Sequence, residues 1–201
     1  MNAVGCAKAR ILTHNHGMRS ILIIGCGDVA LRAIPLLTSR YRVFALVRNA
    51  AYFAKLRALG VVPFLGDLDD RASLTRIIGI ADAVLHFAPP PNDGLSDTRT
   101  RNLLSALSRG TLPQQLIYIS TSGVYGDYAG EWVSETRPLK AILPRAKLRM
   151  DAERQVRNWA KRNQVNASIL REVSDLARGF ALQANGSFVW RQRSSHDLEQ
   201  G

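Results

Sequence analysis

Six short and almost entirely apolar runs recur along the chain, separated by longer segments in which apolar residues return every three or four positions. The runs occupy residues 21–24, 43–47, 61–65, 83–88, 116–120 and 167–170. Continuous apolar runs, rather than an alternation of polar and apolar residues, are typical of parallel strands covered on both faces. The sequence therefore predicts about six parallel β-strands in an α/β domain.

The segments between the runs have the spacing of amphipathic helices. Pro35 lies inside the first of these patterns, where we expect a kink or an early end of the helix. Strands joined by right-handed helical crossovers predict a doubly wound sheet in the order 3-2-1-4-5-6. The helical patterns consist of Ala30, Ala33, Ile34 and Leu37; of Thr100, Leu103, Leu104 and Leu107; and of Leu148, Ala152, Val156 and Trp159.

Both ends of the chain depart from this alternation. Residues 1–18 lack acidic side chains and are interpreted either as a flexible N-terminal extension or as the product of a misplaced start codon. After residue 171 the pattern fails. We expect one helix over residues 172–180, a turn at residues 184–187 and a polar, partly disordered tail. The chain is thus divided into an extension (1–18), a nucleotide-binding domain (19–171) and a divergent C-terminal segment (172–201), which is too short for a substantial second domain.

The chain has a formal net charge of +11. Arginines scattered through helical segments supply most of the excess, without a compact basic tract or interleaved aromatic residues. Nucleic-acid binding is therefore disfavoured, although a basic face would attract an anionic cofactor. No apolar run is long enough to span a membrane, and two cysteines form no disulfide framework, so we expect a cytoplasmic protein.

The first apolar run leads directly into a Gly-x-Gly-x-x-Ala turn at positions 25–30. Gly25 permits a tight bend, and Gly27 leaves room for phosphates to approach the backbone. The N–H groups and the dipole of the following helix attract an anion. We expect a Rossmann-like domain in which the diphosphate of a dinucleotide contacts Gly25, Cys26, Gly27, Asp28 and Val29.

Residues at the ends of the next strands would complete this cofactor site. Arg48 ends the second strand, where a guanidinium can pair with the 2′-phosphate of NADP, while a carboxylate would favour NAD. Because Arg48 could also be a solvated strand-end residue, the sequence favours NADP only slightly. Asp67 either accepts from the adenine amino group or, like Asp69, caps the helix that follows. The expected cofactor set also includes Leu68, Phe87 and Ala88.

Two further motifs carry a resemblance to a known family. The fifth strand ends in Ser-Thr-Ser-Gly-Val-Tyr-Gly at positions 120–126, and Arg-Ala-Lys-Leu at positions 145–148 begins a later helix. From residue 19 to about residue 171 the chain resembles extended or atypical short-chain dehydrogenases/reductases, within the NAD-dependent epimerase/dehydratase family that includes nucleotide-sugar epimerases. Relative to that family the chain looks truncated after about residue 171, with the substrate domain missing or vestigial.

This resemblance implies NAD(P)-dependent oxidoreductase or epimerase chemistry on a sugar-like or other alcohol or carbonyl substrate. It implies that Thr121, with Ser122 as the alternative, holds the substrate oxygen and that Lys147 binds the nicotinamide ribose. The family's tyrosine, four residues before this lysine, is replaced by Leu143. Either another hydroxyl, from Tyr125 or Tyr128, takes its place, or the chain is a non-catalytic NAD(P)-binding or sensing module. Tyr125 could instead serve only to pack its turn.

Three further expectations concern partners and metals. The substrate would be a small molecule such as a nucleotide sugar, and the helices flanking the fifth strand could pair two subunits as a homodimer. His86 is interpreted as a core histidine of the fourth strand. We expect no metal site, because no cluster of acidic residues and cysteines accompanies His14 and His16.

Overall fold

The protein is built around one six-stranded parallel sheet in a computed structural model that describes residues 19–129, 131, 133–172, 180–182 and 188–190. The strand order β3-β2-β1-β4-β5-β6 confirms the predicted order and the Rossmann-like α/β fold. The strands are β1 (Ser20–Ile24), β2 (Arg42–Val47), β3 (Val61–Leu65), β4 (Ala83–His86), β5 (Gln115–Thr121) and β6 (Asn166–Glu172).

Helices cover both faces of this sheet. They are α1 (Asp28–Thr38), α2 (Phe53–Ala58), α3 (Thr98–Leu107) and α4 (Pro144–Asn163). Short 3-10 helices span Ala50–Tyr52, Arg71–Ile77 and Ser122–Tyr125. Two more strands, β7 (Phe180–Leu182) and β8 (Phe188–Trp190), pair antiparallel in a separate two-stranded sheet.

The apolar runs are explained by burial on both faces of the sheet. Along β1, Leu22 and Ile24 belong to the core layer under α3 and α4, whereas Ile21 and Ile23 belong to the layer under α1 and α2. Positions 21–24 of β1 are all withdrawn from water, and each buried aliphatic side chain contributes about 1.5–3 kcal/mol. The predicted faces of α1, α3 and α4 are all buried, as the helical spacing indicated.

Pro35 does not end α1, and this part of the prediction was wrong. The helix continues to Thr38, three residues beyond the proline. Pro35 is on the exposed face, where water can solvate the carbonyl group that would otherwise accept its missing N–H. Ile34 and Leu37 on either side of it are fully buried, so the packing of α1 outweighs the lost hydrogen bond.

Two other predicted boundaries also differ. The fourth strand ends at His86 rather than at Ala88. The helix expected over residues 172–180 is contradicted at both ends, because Glu172 is the last residue of β6 and Phe180 is the first of β7. The expected extension (1–18), turn (184–187) and tail (191–201) lie outside the described residues.

Candidate functional site

A cleft of about 590 Å³ opens at the carboxyl edge of the sheet, where β1, β2, β3 and β4 end. Ligands of doubly wound proteins bind at this edge because the strand order reverses there. The walls come from the loops after these four strands and from the first turn of α3. Most of the expected cofactor residues line it: Gly25, Cys26, Gly27, Arg48, Asp67, Leu68 and Ala88.

The bend after β1 depends on Gly25. Its φ angle is +89°, in the region that side chains rarely adopt, and a Cβ atom there would lie 2.7 Å from both the N and the Cα atom of Ala88. The β1 and β4 loops therefore touch backbone to backbone. Phe87, just before this contact, donates its N–H to the Ile24 carbonyl at 2.8 Å.

Gly27 lies next to open space. A Cβ atom built on it would meet no protein atom within 4 Å. Gly27 is the N-cap of α1 and makes no side-chain cap hydrogen bond, so the first N–H groups of the helix, including those of Asp28 and Val29, lack an intrahelical acceptor. This open helix terminus beside the cleft is where an anion would be stabilised.

Two side chains of the bend are constrained by their surroundings. The Asp28 carboxylate pairs with Arg32 at 2.8 Å on the surface of α1, which offsets its negative charge near the helix terminus. Burial raises the pKa of the Cys26 thiol to about 11, so this cysteine is a neutral, apolar part of the cleft wall at neutral pH.

Arg48 and Asp67 face the cleft from the ends of β2 and β3. Arg48 is exposed. Asp67 accepts a hydrogen bond from the Asp69 N–H at 3.0 Å, which forms a turn and engages one carboxylate oxygen. The cap of the following 3-10 helix is Asp70, which accepts from Ala72 at 3.0 Å, so the capping role considered for Asp67 and Asp69 belongs to their neighbour.

Arg99 is a cleft residue that the sequence analysis missed. From the first turn of α3 it binds the Asp69 carboxylate with two donors, the shorter contact being 2.7 Å, and it donates to the carbonyl groups of Pro89 and Pro90 at 3.4 and 3.2 Å. The Arg99 hydrogen bonds, and to a smaller extent the Arg48 charge, hold the pKa of Asp69 below its usual value. No local motif marks Arg99, since its partners lie far away in the sequence.

The residues suggested for catalysis lie along the same edge, after β5. Thr121 ends β5, and its hydroxyl accepts from the Gly123 N–H at 3.3 Å, while Ser122 begins the next 3-10 helix. Lys147 is exposed on the first turn of α4. Leu143 caps that helix with 69% of its surface exposed. None of these residues is among those that line the cleft.

Tyr125 is held in a network that ties α4 to β6. Its hydroxyl accepts from Arg171 at 2.7 Å and donates to the Glu135 carbonyl at 3.2 Å. Arg171 also forms a two-point contact with the fully buried Glu153 carboxylate, at 3.0 and 2.7 Å. Burial alone would raise the pKa of Glu153, but the hydrogen bonds from Arg171 and Arg157 outweigh it and hold that pKa below its usual value.

His86 lies in the core, as the sequence analysis expected. It has no exposed surface, and its Nε2 atom is 2.9 Å from the Thr100 hydroxyl. The Thr100 hydroxyl donates to Asp97, so Nε2 carries the proton toward Thr100. Burial, with a smaller contribution from the Arg149 charge, lowers the pKa of His86 to about 3, which keeps the imidazole neutral.

A parallel sheet in this order, with a glycine bend, an open helix terminus and a cleft at the switch point, defines the class of Rossmann dinucleotide-binding domains. Residues 25–172 match the model of a family described as NAD(P)H-binding. The chain therefore belongs to the NAD(P)H-binding family.

Solved structures of NAD-dependent epimerases/dehydratases share this fold. The chain is similar to UDP-glucuronic acid 4-epimerase from Bacillus cereus, solved with UDP-glucuronic acid and NAD (22% identity, TM-score 0.62, 76% of this chain and 55% of that one). It is also similar to the UDP-Glc/GlcNAc 4-epimerase from Campylobacter jejuni (22%, 0.67, 76% and 53%). A third similar structure is a protein described as an NAD-dependent epimerase/dehydratase from Methylobacillus flagellatus (29%, 0.62, 77% and 54%).

The chain spans about half the length of these solved structures. No curated protein sequence matches it at a significant level. Within the part of the chain that the structure describes, no helix combines the length and hydrophobicity needed to cross a membrane. In that same part, no three His, Cys, Asp or Glu side chains are grouped as metal ligands.

Proposed function

We propose that the cleft binds NAD(P), with the diphosphate over the bend at positions 25–27 and the adenosine half between the ends of β2 and β3. The observation that carries this proposal is the open space beside Gly27, at the free end of α1. A phosphate there would accept from helix N–H groups without displacing a side chain. Calorimetric titration with NADH and NADPH tests it, and no heat with either coenzyme would contradict it.

We further propose that Arg48 favours NADP. The Arg48 charge contributes to lowering the pKa of the Asp69 carboxylate, which Arg99 already neutralises. The Arg48 charge therefore remains available for a 2′-phosphate, which a guanidinium can bind with two donors.

Arg48→Asp tests this preference, since it should weaken NADPH binding by about tenfold or more while NADH binding is retained, as expected for a lost charge-assisted contact of ~1.5–3 kcal/mol. Arg42→Asp is the matched control, because Arg42 is exposed at the opposite end of the same strand. An unchanged coenzyme ratio in Arg48→Asp, or an equal change in the control, would contradict the proposal.

The reaction proposed for this site is hydride transfer to or from a sugar-like or other alcohol or carbonyl substrate. A bound nicotinamide would supply the hydride chemistry at its C4 atom. Thr121 or Ser122, at the carboxyl end of β5, would donate to the substrate oxygen, and Lys147 would hold the nicotinamide ribose. A nucleotide sugar is the proposed substrate class, and the cytoplasm the proposed location. A homodimer stays a prediction.

A non-catalytic NAD(P)-binding or sensing module is the second candidate function. Two observations favour it: Leu143 carries no proton, and the Tyr125 hydroxyl is already bonded to Arg171 and Glu135. Turnover of either coenzyme with a panel of nucleotide sugars and simple carbonyls separates the two candidates. Loss of turnover in Tyr125→Phe, with coenzyme affinity unchanged, would assign the proton transfer to Tyr125. Tight coenzyme binding with no turnover on any substrate would support the module.

A further inference from the structure

The Arg99 guanidinium is fixed in the cleft wall by contacts along its edge. Nε and Nη2 donate to Asp69 at 2.7–3.1 Å, and Nη1 donates to the carbonyl groups of Pro89 and Pro90. The side chain is 16% exposed and lines the cleft. The loop after β3, the loop after β4 and the first turn of α3 are therefore joined through one planar group.

These contacts determine what Arg99 can offer a ligand. A guanidinium has five N–H donors, all in its plane. Here, donors on all three nitrogens are used by the protein itself. The surface that remains is chiefly the flat face, which binds π-systems by stacking rather than phosphate oxygens by hydrogen bonding.

The neighbours of Arg99 in the cleft match a flat heterocycle. Leu68 and Ala88 are apolar and buried, and Asp67 keeps one carboxylate oxygen outside its own turn. An adenine ring needs apolar or planar surfaces on its faces and an acceptor near its amino group. These side chains supply both at the end of the sheet where the adenosine half is proposed to lie.

We infer that Arg99 forms the stacking wall for the adenine ring of the bound dinucleotide, so that it recognises the base and not the phosphates. This inference rests on the proposed NAD(P) binding. It separates two arginines of one cleft by role: Arg48 distinguishes NADPH from NADH, while Arg99 contributes equally to both because both carry adenine.

The experiment compares NAD with its analogue in which cytosine replaces adenine, by calorimetry on the full chain. In the wild-type protein we expect NAD to bind more tightly than the cytosine analogue, since a purine offers the larger stacking surface. Arg99→Ala should lower the affinity for NADH about tenfold, and that for NADPH at least as much, because the freed Asp69 carboxylate then also draws on the Arg48 charge. It should also reduce the preference for adenine over cytosine several-fold.

Two more variants make the result specific. Arg99→Lys keeps a positive charge beside Asp69 but has no planar face, so it should also lose the adenine preference, and it serves if the alanine variant does not fold. Arg101→Ala is the control, because Arg101 lies on the same helix, bonds Ser96 at 2.7 Å and does not line the cleft.

The outcomes separate the stacking role of Arg99 from the proposed binding of NAD(P). If Arg99 only joins the loops, its variants will weaken NAD and the cytosine analogue equally. The preference for adenine would then be unchanged, and the stacking role would be overturned. If the unchanged protein binds neither NADH nor NADPH, the proposed function fails first. If Arg99→Lys, which keeps a positive charge beside Asp69, weakens NADPH alone, Arg99 contacts the 2′-phosphate and the inference is wrong.

Discussion

The two glycines of the β1–α1 bend should respond to the same substitution in opposite ways. Gly25→Ala places a methyl group 2.7 Å from backbone atoms of Ala88 and forces a side chain into a φ angle of +89°. The left-handed conformation costs about 1–2 kcal/mol, and the overlap forces a backbone shift that costs about 1–3 kcal/mol. Together these predict a loss of about 2–5 kcal/mol from the free energy of unfolding.

Gly27→Ala should leave that free energy within about 0.5 kcal/mol of the unchanged protein. Its φ of −79° suits any residue, and the new methyl group meets no protein atom within 4 Å. The methyl group would instead occupy the space proposed for the diphosphate. Dinucleotide affinity should fall at least about fivefold, which corresponds to the lower end of the usual cost of overpacking.

Urea denaturation and calorimetric titration of both variants measure the two effects separately. If the m-value is unchanged, a lower urea midpoint in Gly25→Ala, but not in Gly27→Ala, reports the lost stability. Weaker NADH and NADPH binding by the folded Gly27→Ala variant reports the blocked space. Equal stability of the two variants would refute the reasoning about the Ala88 contact, and full affinity in Gly27→Ala would refute the placement of the diphosphate.

Three further results are expected. Glu153→Gln should cost about 3 kcal/mol at pH 7, because it leaves Arg171 without its buried carboxylate. Since the folded-state pKa of Glu153 is lowered, that contribution is complete above its unfolded pKa of ~4.3 and is lost as the pH falls through the folded pKa. The difference from the unchanged protein in urea denaturation should therefore narrow in acid. The imidazole of His86, with a pKa of about 3, should show no NMR titration between about pH 5 and 8, and a midpoint near 6.5 would contradict its burial. In a Cys6→Ser background, Cys26 should react slowly with maleimide below about pH 10 and more slowly with NADPH present, as a thiol with a pKa of about 11 requires.

The strands were predictable because burial on two faces leaves a simple signature in the sequence. Ile21 and Ile23 face one core layer while Leu22 and Ile24 face the other, so no polar residue interrupts β1 after Ser20. The same signature misplaced the end of β4. Phe87 and Ala88 are apolar for other reasons, since Phe87 packs in the layer of α1 and Ala88 closes against the glycine bend.

The candidate cleft was predictable only where one short segment builds it. The glycine bend and Arg48 follow directly from strand ends, so their place at the cleft could be inferred from order along the chain. Arg99 could not, because Asp69 and the two proline carbonyl groups reach it from loops distant in sequence. The cap of the 3-10 helix after β3 was likewise sought at Asp67 or Asp69, and only the structure identifies Asp70.

The contact between Gly25 and Ala88 also sets the order in which the protein can be assembled. During synthesis β1 and β2 leave the ribosome first, but β1 pairs on its other side with β4, where Ile24 lies opposite His86. A nascent chain that stops short of β4 holds the bend without the backbone it rests against. The bend at positions 25–27 therefore reaches its final form late, and a coenzyme bound there could stabilise the protein only after β4 has emerged.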